Sequence, residues 1–219
     1  MLQYPSINGI KKSPMGRNCV VFYKYDGSNL RFEWNPKKGW GKFGSRTQLI
    51  DRNAQFLGVG IDLFLNTMAD NIIDRLKAEY GKKFSKYQKI TAFAELYGSS
   101  SFAGTHVEDE PKELKLFDIF RFKDGFLDPV DFVDMFESTN YIAEPLRSCN
   151  LNQDLISNIR KGYTPDGIEL PKHQPIPEGV VCKGNHGGEL WMTKIKTLEY
   201  LEKLKNFYPK TWEQYADDQ

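Results

Sequence analysis

No stretch of this 219-residue chain approaches the roughly 18 consecutive apolar residues that a membrane-spanning helix needs, so nothing in it is suited to cross a bilayer as a helix. The N-terminus, Met1-Leu2-Gln3-Tyr4-Pro5, lacks the basic-then-apolar pattern of a secretory signal. Cysteine is scarce. Cys19, Cys149 and Cys182 are odd in number and have no metal-ligand spacing, which argues for reduced thiols in a cytoplasmic protein and against a disulfide framework. Internal repeats, low-complexity tracts and Gly/Ser-rich linkers are missing too. Charge of one sign is not in excess either: 30 basic against 29 acidic residues leave +1, well short of a dedicated nucleic-acid-binding module. An enzyme that grips a few phosphates inside a cleft can be neutral overall, so this balance excludes little. The 40% hydrophobic content, at this length, is enough for one sizeable core, and a monomer is expected.

The opening stretch through Arg17, with Pro5, Gly9, Pro14 and Gly16, reads as a loop-rich lead-in. Cys19 to Tyr23 is a β-branched and aromatic run, and Asp26-Gly27 is a turn signal. Asn29 to Trp34 then alternates like a returning strand. Lys24 therefore falls where a strand ends and a turn begins. From Arg52 to Glu79 the apolar spacing is helical, predicting two helices broken near Asn66, with Gly81 as C-cap. Strands are predicted over Lys89 to Tyr97 and Glu113 to Phe122. A helix is predicted from Pro129 to Asn140, with Asp128 as N-cap and Pro129 at its first position. Gly179 to Lys183 and Leu190 to Lys196 read as paired strands joined by a Gly-rich loop, and Leu198 to Phe207 as a last helix. Strands and helices without a regular βαβ rhythm indicate an α+β architecture.

Six short elements occur in a fixed order: Lys24-Tyr25-Asp26-Gly27-Ser28-Asn29, Gly44-Ser45-Arg46-Thr47, Ala94-Glu95-Leu96-Tyr97-Gly98, Leu116-Phe117-Asp118-Ile119, Glu178-Gly179-Val180-Val181-Cys182-Lys183 and Trp191-Met192-Thr193-Lys194-Ile195-Lys196. One Lys-x-Asp-Gly tetrapeptide is most often a hairpin turn with a solvated lysine. Six elements in order, most at predicted strand ends, are a different matter. Together they resemble nucleotidyltransferase motifs I, Ia, III, IIIa, IV and V of the polynucleotide ligase and mRNA-capping superfamily. The resemblance spans Val20 to Lys196. It implies an ATP-grasp-like ligase adenylation domain, with antiparallel sheets flanked by helices around a nucleotide cleft.

What the resemblance implies chemically agrees with the residue types. Lys24 is the implied nucleophile toward the α-phosphate of ATP. Free lysine is mostly protonated, with a pKa of ~10.4, so its site has to make the neutral amine available. Burial and neighbouring cations do that, and Lys194 and Lys196, two apart on one strand, point to one face. They are expected to bind the α-phosphate and to depress Lys24 together. Glu95 is the implied ribose partner and Glu178 the implied ligand of Mg²⁺ or Mn²⁺, since hard cations prefer carboxylate oxygens. Arg46 is implied on the acceptor side, where a guanidinium fork suits sugar and phosphate. Phe117 is the candidate for stacking on adenine, with Asp118 a supporting acid and Lys183 a phosphate contact. Tyr23, Asp26 and Asn29 complete the implied nucleotide-binding set.

Asn29 at the end of the first motif favours RNA ligases of the RNA ligase 2 type over DNA ligases and capping enzymes, which usually carry arginine there. Asp26 departs from the histidine common in that subgroup, leaving the position among RNA ligases open. Residues 1–219 read as one adenylation domain with a short helical tail over 197–219 ending in Asp217-Asp218. Too little chain follows Lys196 for an OB domain. The implied activity is joining of 5′-phosphate and 3′-hydroxyl ends of RNA, or of an RNA-containing nicked duplex, through lysyl-AMP and RNA-adenylate. A compact DNA ligase, a stand-alone adenylyltransferase and an end-binding module are the alternatives.

Overall fold

A computed structural model of the chain describes residues 1–213. The acidic end predicted at Asp217-Asp218 lies outside the described residues.

The architecture is α+β, with two antiparallel sheets flanked by helices. The first sheet is built around β1 (Asn18–Lys24), whose five consecutive buried residues are the signature of a strand covered on both faces. Two strands far away in sequence, β8 (Pro145–Asn150) and β9 (Gly179–His186), flank it, and β10 (Glu189–Lys196) pairs with β9. The second sheet runs β4 (Leu49–Ile50), β3 (Gly39–Ser45), β2 (Ser28–Asn35), β5 (Ile90–Gly98), β6 (Lys112–Arg121), β7 (Gly125–Phe126).

This topology corrects the hairpin expected at Asp26-Gly27. β2 does not return along β1; it pairs with β3 and β5 in the other sheet. The segment Tyr25–Gly27 is a crossover between sheets, and Lys24 sits at its start. Gly27 is required there by close approach, because a Cβ would lie 2.2 Å from the Leu96 carbonyl oxygen.

The two helices predicted over Arg52 to Glu79 are α1 (Gly58–Thr67) and α2 (Ala69–Tyr80), broken at Met68. Ile61, Phe64, Ile72 and Leu76 of these helices are fully buried in the core that also takes Leu30, Phe32, Ala94 and Leu96 from the larger sheet. Each such aliphatic or aromatic side chain contributes about 1.5–3 kcal/mol on burial. α3 (Pro129–Phe136) has the predicted cap: Asp128 accepts from the Val130 N–H at 2.9 Å, with Pro129 at the first position. It ends four residues before the predicted Asn140.

Several elements escaped the sequence reading, among them β8, the two-residue strands β4 and β7, and β3 and α4. β3 is diluted by Gly39, Gly41 and Gly44, which blunt strand alternation. α4 (Gln153–Arg160) has only two turns, too short to display a helical period, yet Leu155, Ile156 and Ile159 bury a second core against Val21, Val180 and Ile195. α5 (Leu198–Phe207) has the predicted bounds. Its Tyr200 and Leu204 are buried, and Tyr200 reaches the crossover. Cys19 and Cys182 are buried and Cys149 half-buried, all with free thiols. Trp34, Trp40 and Phe43 pack against the main core.

Candidate active site

Strand register assembles the site. In the smaller sheet Lys24 is opposite Gly179, and Gly179 is opposite Lys196. In the larger sheet Asn29 is opposite Glu95, and Glu95 is opposite Lys115. These two rows line a cleft of about 690 Å³. Eleven of the twelve residues singled out in the sequence line it: Tyr23, Lys24, Asp26, Asn29, Arg46, Glu95, Phe117, Glu178, Lys183, Lys194 and Lys196; Asp118 lies behind them, paired with Lys183.

Glu178 is the hub. Gly179, which follows it, has φ +141°, and a Cβ there would lie 2.0 Å from the Ile195 carbonyl oxygen, so β9 begins pressed against β10. The Thr197 N–H donates to the Glu178 carbonyl at 3.0 Å, and the Thr197 hydroxyl donates to the Pro177 carbonyl at 2.8 Å. Thus anchored, the Glu178 carboxylate accepts from Lys24 Nζ at 2.6 Å on one oxygen and meets Lys196 Nζ at 3.2 Å on the other. Burial pushes the Glu178 carboxyl up, but Lys24 and Lys196 more than offset this and hold it below its ordinary value.

The lysines respond in opposite directions. Burial and the neighbouring Lys24 and Lys194 charges bring Lys196 below its ordinary value, against the pull of Glu178. Burial also works to lower Lys24, but Glu178, Glu95 and Asp26 outweigh it and hold the ammonium above its ordinary value. The depression expected for Lys24 is therefore reversed in this arrangement. Sequence spacing brought out the two cationic neighbours and missed that Glu178 lies nearer.

Glu95 is half-buried in the same cleft, with its carboxyl pushed up to about 8. Burial does most of this; Lys24 and Arg46 oppose it, while Glu178 and Asp26 add to it. Asp26 is pushed up to about 6 by burial and by Glu178, against the pull of the Ala103 N–H, Lys24 and the Tyr200 hydroxyl. Its two carboxylate oxygens accept from the Ala103 N–H at 3.0 and 2.8 Å, and one also accepts from Tyr200 at 2.8 Å. Gln174 clamps the Asp26 backbone from both sides, accepting from its N–H and donating to its carbonyl, both at 2.8 Å. Asp26 is thus a strut that fixes the crossover to α5 and to the loop after β5.

The far end of the cleft holds an aromatic group. Phe117 is half-buried, edge-on to Tyr4 at 4.9 Å between ring centres. The Lys183 ammonium donates to the Phe117 carbonyl at 2.6 Å and to Asp118 at 2.8 Å, and Tyr4 donates to the same Asp118 oxygen at 2.7 Å. Lys183, expected as a phosphate contact, is thereby paired with Asp118 beside Phe117. Arg46 is exposed at the rim, just past β3. Two buried polar atoms in the cleft wall, the Tyr23 hydroxyl and Asn29 Oδ1, have no protein hydrogen-bond partner.

Four contributors carried no motif. Tyr4 lies in the lead-in, which proves to be a structured strap: Asn8 bridges Thr193, and the Lys194 N–H donates to the Asn8 carbonyl at 3.0 Å. Tyr200 reads as an apolar helix residue, Gln174 sits in a Pro-flanked loop, and Lys115 is one lysine on a strand. The histidines are dispersed. His106 lies between Ser28 and Ser101, His173 meets Glu144, and His186 meets Arg17.

The cleft between the two antiparallel sheets thus has a lysine–glutamate–lysine cluster at its base. The RNA ligase family model matches residues 17–196, and the chain belongs to that family. No curated protein matches the sequence at a significant level. Among solved structures, the Naegleria gruberi RNA ligase with pyrophosphate is 18% identical with a TM-score of 0.63, covering 94% of this chain and 58% of that one. A mutant of that ligase solved with AMP and Mn is 16% identical with a TM-score of 0.62, covering 93% and 58%. Another, with ATP and Mn, is 17% identical with a TM-score of 0.57, covering 86% and 52%. The chain thus spans a little over half the length of these ligases, and the likeness establishes the fold.

Proposed function

We propose that this chain is an ATP-dependent RNA ligase working through a covalent lysyl-AMP. One observation carries the reading: Lys24, Glu178 and Lys196 converge within hydrogen-bond distance at the base of a cleft large enough for a nucleotide. The Lys24 amine attacks the α-phosphorus of ATP, a P–N bond forms, and pyrophosphate leaves. A 5′-phosphate oxygen of RNA then takes the AMP, freeing Lys24. Finally a 3′-hydroxyl attacks that 5′-phosphorus, joins the strands and releases AMP.

The electrostatics suggest how the amine becomes available. Lys24 must shed a proton, and Glu178 Oε2, 2.6 Å away, is within reach to take it. Once Glu178 is neutralised or engaged elsewhere, burial and Lys196 favour the free amine. Lys194 and Lys196 then offer their charge to the α-phosphate. The Tyr23 hydroxyl and Asn29 Oδ1 are buried polar atoms suited to polar groups of a bound nucleotide. Glu95, neutral at pH 7 for the most part, can both donate to and accept from a ribose hydroxyl. Phe117 offers its ring to the base, and Arg46 at the rim faces the acceptor strand.

The residues fit a divalent ion of the Mg²⁺ or Mn²⁺ kind. No group of three acidic, histidine or cysteine side chains among the described residues makes a protein cage. Glu178 alone would hold the ion beside the nucleotide phosphates, as suits a cation that keeps much of its water. When bound, it neutralises phosphate charge during displacement of pyrophosphate.

We take the described residues as one adenylation domain, since both sheets and α5 contribute to one cleft. The RNA partner would be read through backbone and 2′-hydroxyls. The test is incubation with α-labelled ATP and Mg²⁺, denaturing electrophoresis, then a chase with 5′-phosphorylated nicked RNA. Label should appear on the protein, move into sealed RNA, and be absent from Lys24→Ala. Retention of label in that variant would overturn the assignment. Label that leaves for DNA nicks and not RNA would favour the compact DNA ligase.

A further inference from the structure

The larger sheet has the cleft at one end and an unneutralised concentration of lysine at the other. Three separate turns meet there. Lys37 and Lys38 occupy the turn after β2, and Lys82, Lys83 and Lys86 lie on the 3₁₀ turns of Gly81–Lys86 after α2. Lys89 precedes β5, and Lys123 sits in the turn between β6 and β7 with φ +77°. Trp34 packs on Phe84 at 5.5 Å, Trp34 is opposite Ile90, and the Phe122 N–H donates to the Lys89 carbonyl at 3.0 Å, so these turns are held together.

All seven lysines are exposed, and among the described residues none has a carboxylate within ion-pair distance. The acids at this end are otherwise engaged or apart: Glu33 is buried against Lys42, Asp124 leans on Tyr87, and Glu79 lies back on α2. Between Glu79 and Glu95 the chain has four lysines and no acid. In a protein with a net charge of only +1, this is placement rather than composition. An exposed aromatic, Phe122, lies 5.9 Å from both Lys89 and Lys123, the interleaving of cation and ring that suits a nucleic acid better than an acidic peptide.

We propose that this lysine-lined end of the sheet is a second RNA contact, which holds the sugar-phosphate backbone of the substrate away from the reacting ends. The inference rests on the RNA ligase reading above. Glu95 and Ile90 are five residue steps apart on β5, so the surface lies about 17 Å along the sheet from the cleft, at about 3.4 Å per residue. An RNA whose end sits at Lys24 can cover that distance within a single arm. ATP does not need to touch this end, so adenylylation of Lys24 is independent of it.

The experiment compares the parent chain with a K82Q/K83Q/K86Q/K89Q variant and the matching arginine variant. Binding of nicked RNA duplex is measured without ATP over a range of salt, and Lys24 labelling by α-labelled ATP is measured separately. We expect the glutamine variant to bind RNA at least tenfold more weakly near ~0.1 M salt. Its slope of log affinity against log salt should be shallower by about two to three, from about 0.9 per phosphate contact. The arginine variant should restore both, and all three proteins should take label equally. An unchanged slope and affinity in the glutamine variant would overturn the proposal. So would unchanged RNA binding accompanied by loss of binding to polyglutamate, which would assign the surface to an acidic protein. Because the slope is read without ATP, missing label in the parent chain bears on the ligase reading alone.

Discussion

Consider Glu95→Gln. In the folded chain the Glu95 carboxyl is pushed up to about 8, against an ordinary value of 4.5, by burial and by Glu178 and Asp26, with Lys24 and Arg46 pulling the other way. Folding at neutral pH therefore requires Glu95 to pick up a proton that it lacks when unfolded. A carboxyl raised in this way leaves stability untouched below pH 4.5, and stability is then lost progressively up to about pH 8. At about 1.4 kcal/mol per pH unit, the loss is on the order of 3 kcal/mol at pH 7 and about 5 kcal/mol above pH 8. Glutamine keeps the shape and cannot ionise. The variant should thus match the parent near pH 4 and exceed it by about 3 kcal/mol at pH 7, or roughly 6–12 °C in melting temperature for a chain of this size. Urea unfolding at half-unit steps from pH 4 to 8.5 measures the gap. A gap that does not change with pH, or a glutamine variant less stable at pH 7, refutes the reasoning. If Glu95 serves a ribose hydroxyl, the same variant should take label from ATP more slowly, exchanging function for stability.

The remaining predictions concern its neighbours. Glu178→Gln removes the carboxylate that does most to hold Lys24 up, so Lys24 should titrate lower than in the parent; the pH dependence of Lys24 acylation, read by peptide mass spectrometry, should shift to lower pH, and an unchanged profile would contradict the electrostatics. Asp118→Asn breaks a buried ion pair and strands Lys183, which should destabilise the fold by about 3–5 kcal/mol in urea unfolding. Tyr200→Phe deletes a 2.8 Å hydrogen bond to Asp26, should lower stability by about 1–2 kcal/mol, and should move the Asp26 carboxyl further up, as read from its carbon chemical shift.

The parts legible in the sequence were those set by local pattern. β1, β5, β9, α3 and α5 announce themselves through unbroken apolar runs, helical spacing or, at α3, the Asp128 cap. Most cleft residues were legible because they fall in or beside six short elements whose order resembles a known motif set; Tyr4, Lys115 and Tyr200, which also line the cleft, belong to none of them. β3 and α4 were not legible, since three glycines and a two-turn length erase the period on which such reading depends. The strap carrying Tyr4 was hidden for a related reason: Pro5, Gly9, Pro14 and Gly16 mark irregular backbone, and irregular backbone bonded to a sheet edge looks the same in sequence as a free lead-in.

The reversed sign at Lys24 has a deeper origin. Spacing along β10 puts Lys194 and Lys196 on one face, but nothing local relates them to Lys24, which is 170 residues away. That relation is set by register across three strands, Lys24 to Gly179 to Lys196, and the residue just before Gly179 is a glutamate. A slip of one residue would turn the facing side chains over and separate the cluster. The register is held by close contacts that tolerate no Cβ, at Gly27 against Leu96 and at Gly179 against Ile195, and by the backbone bonds of Thr197. The glycines in the motifs are thus as much a part of the site as its charges. Gly27 lets the crossover lie against β5 of the larger sheet, and Gly179 lets β9 start pressed against β10, so that an ammonium, a carboxylate and a second ammonium of one sheet share one space. In that space the nearby carboxylates, Glu178 first, keep the proton on Lys24.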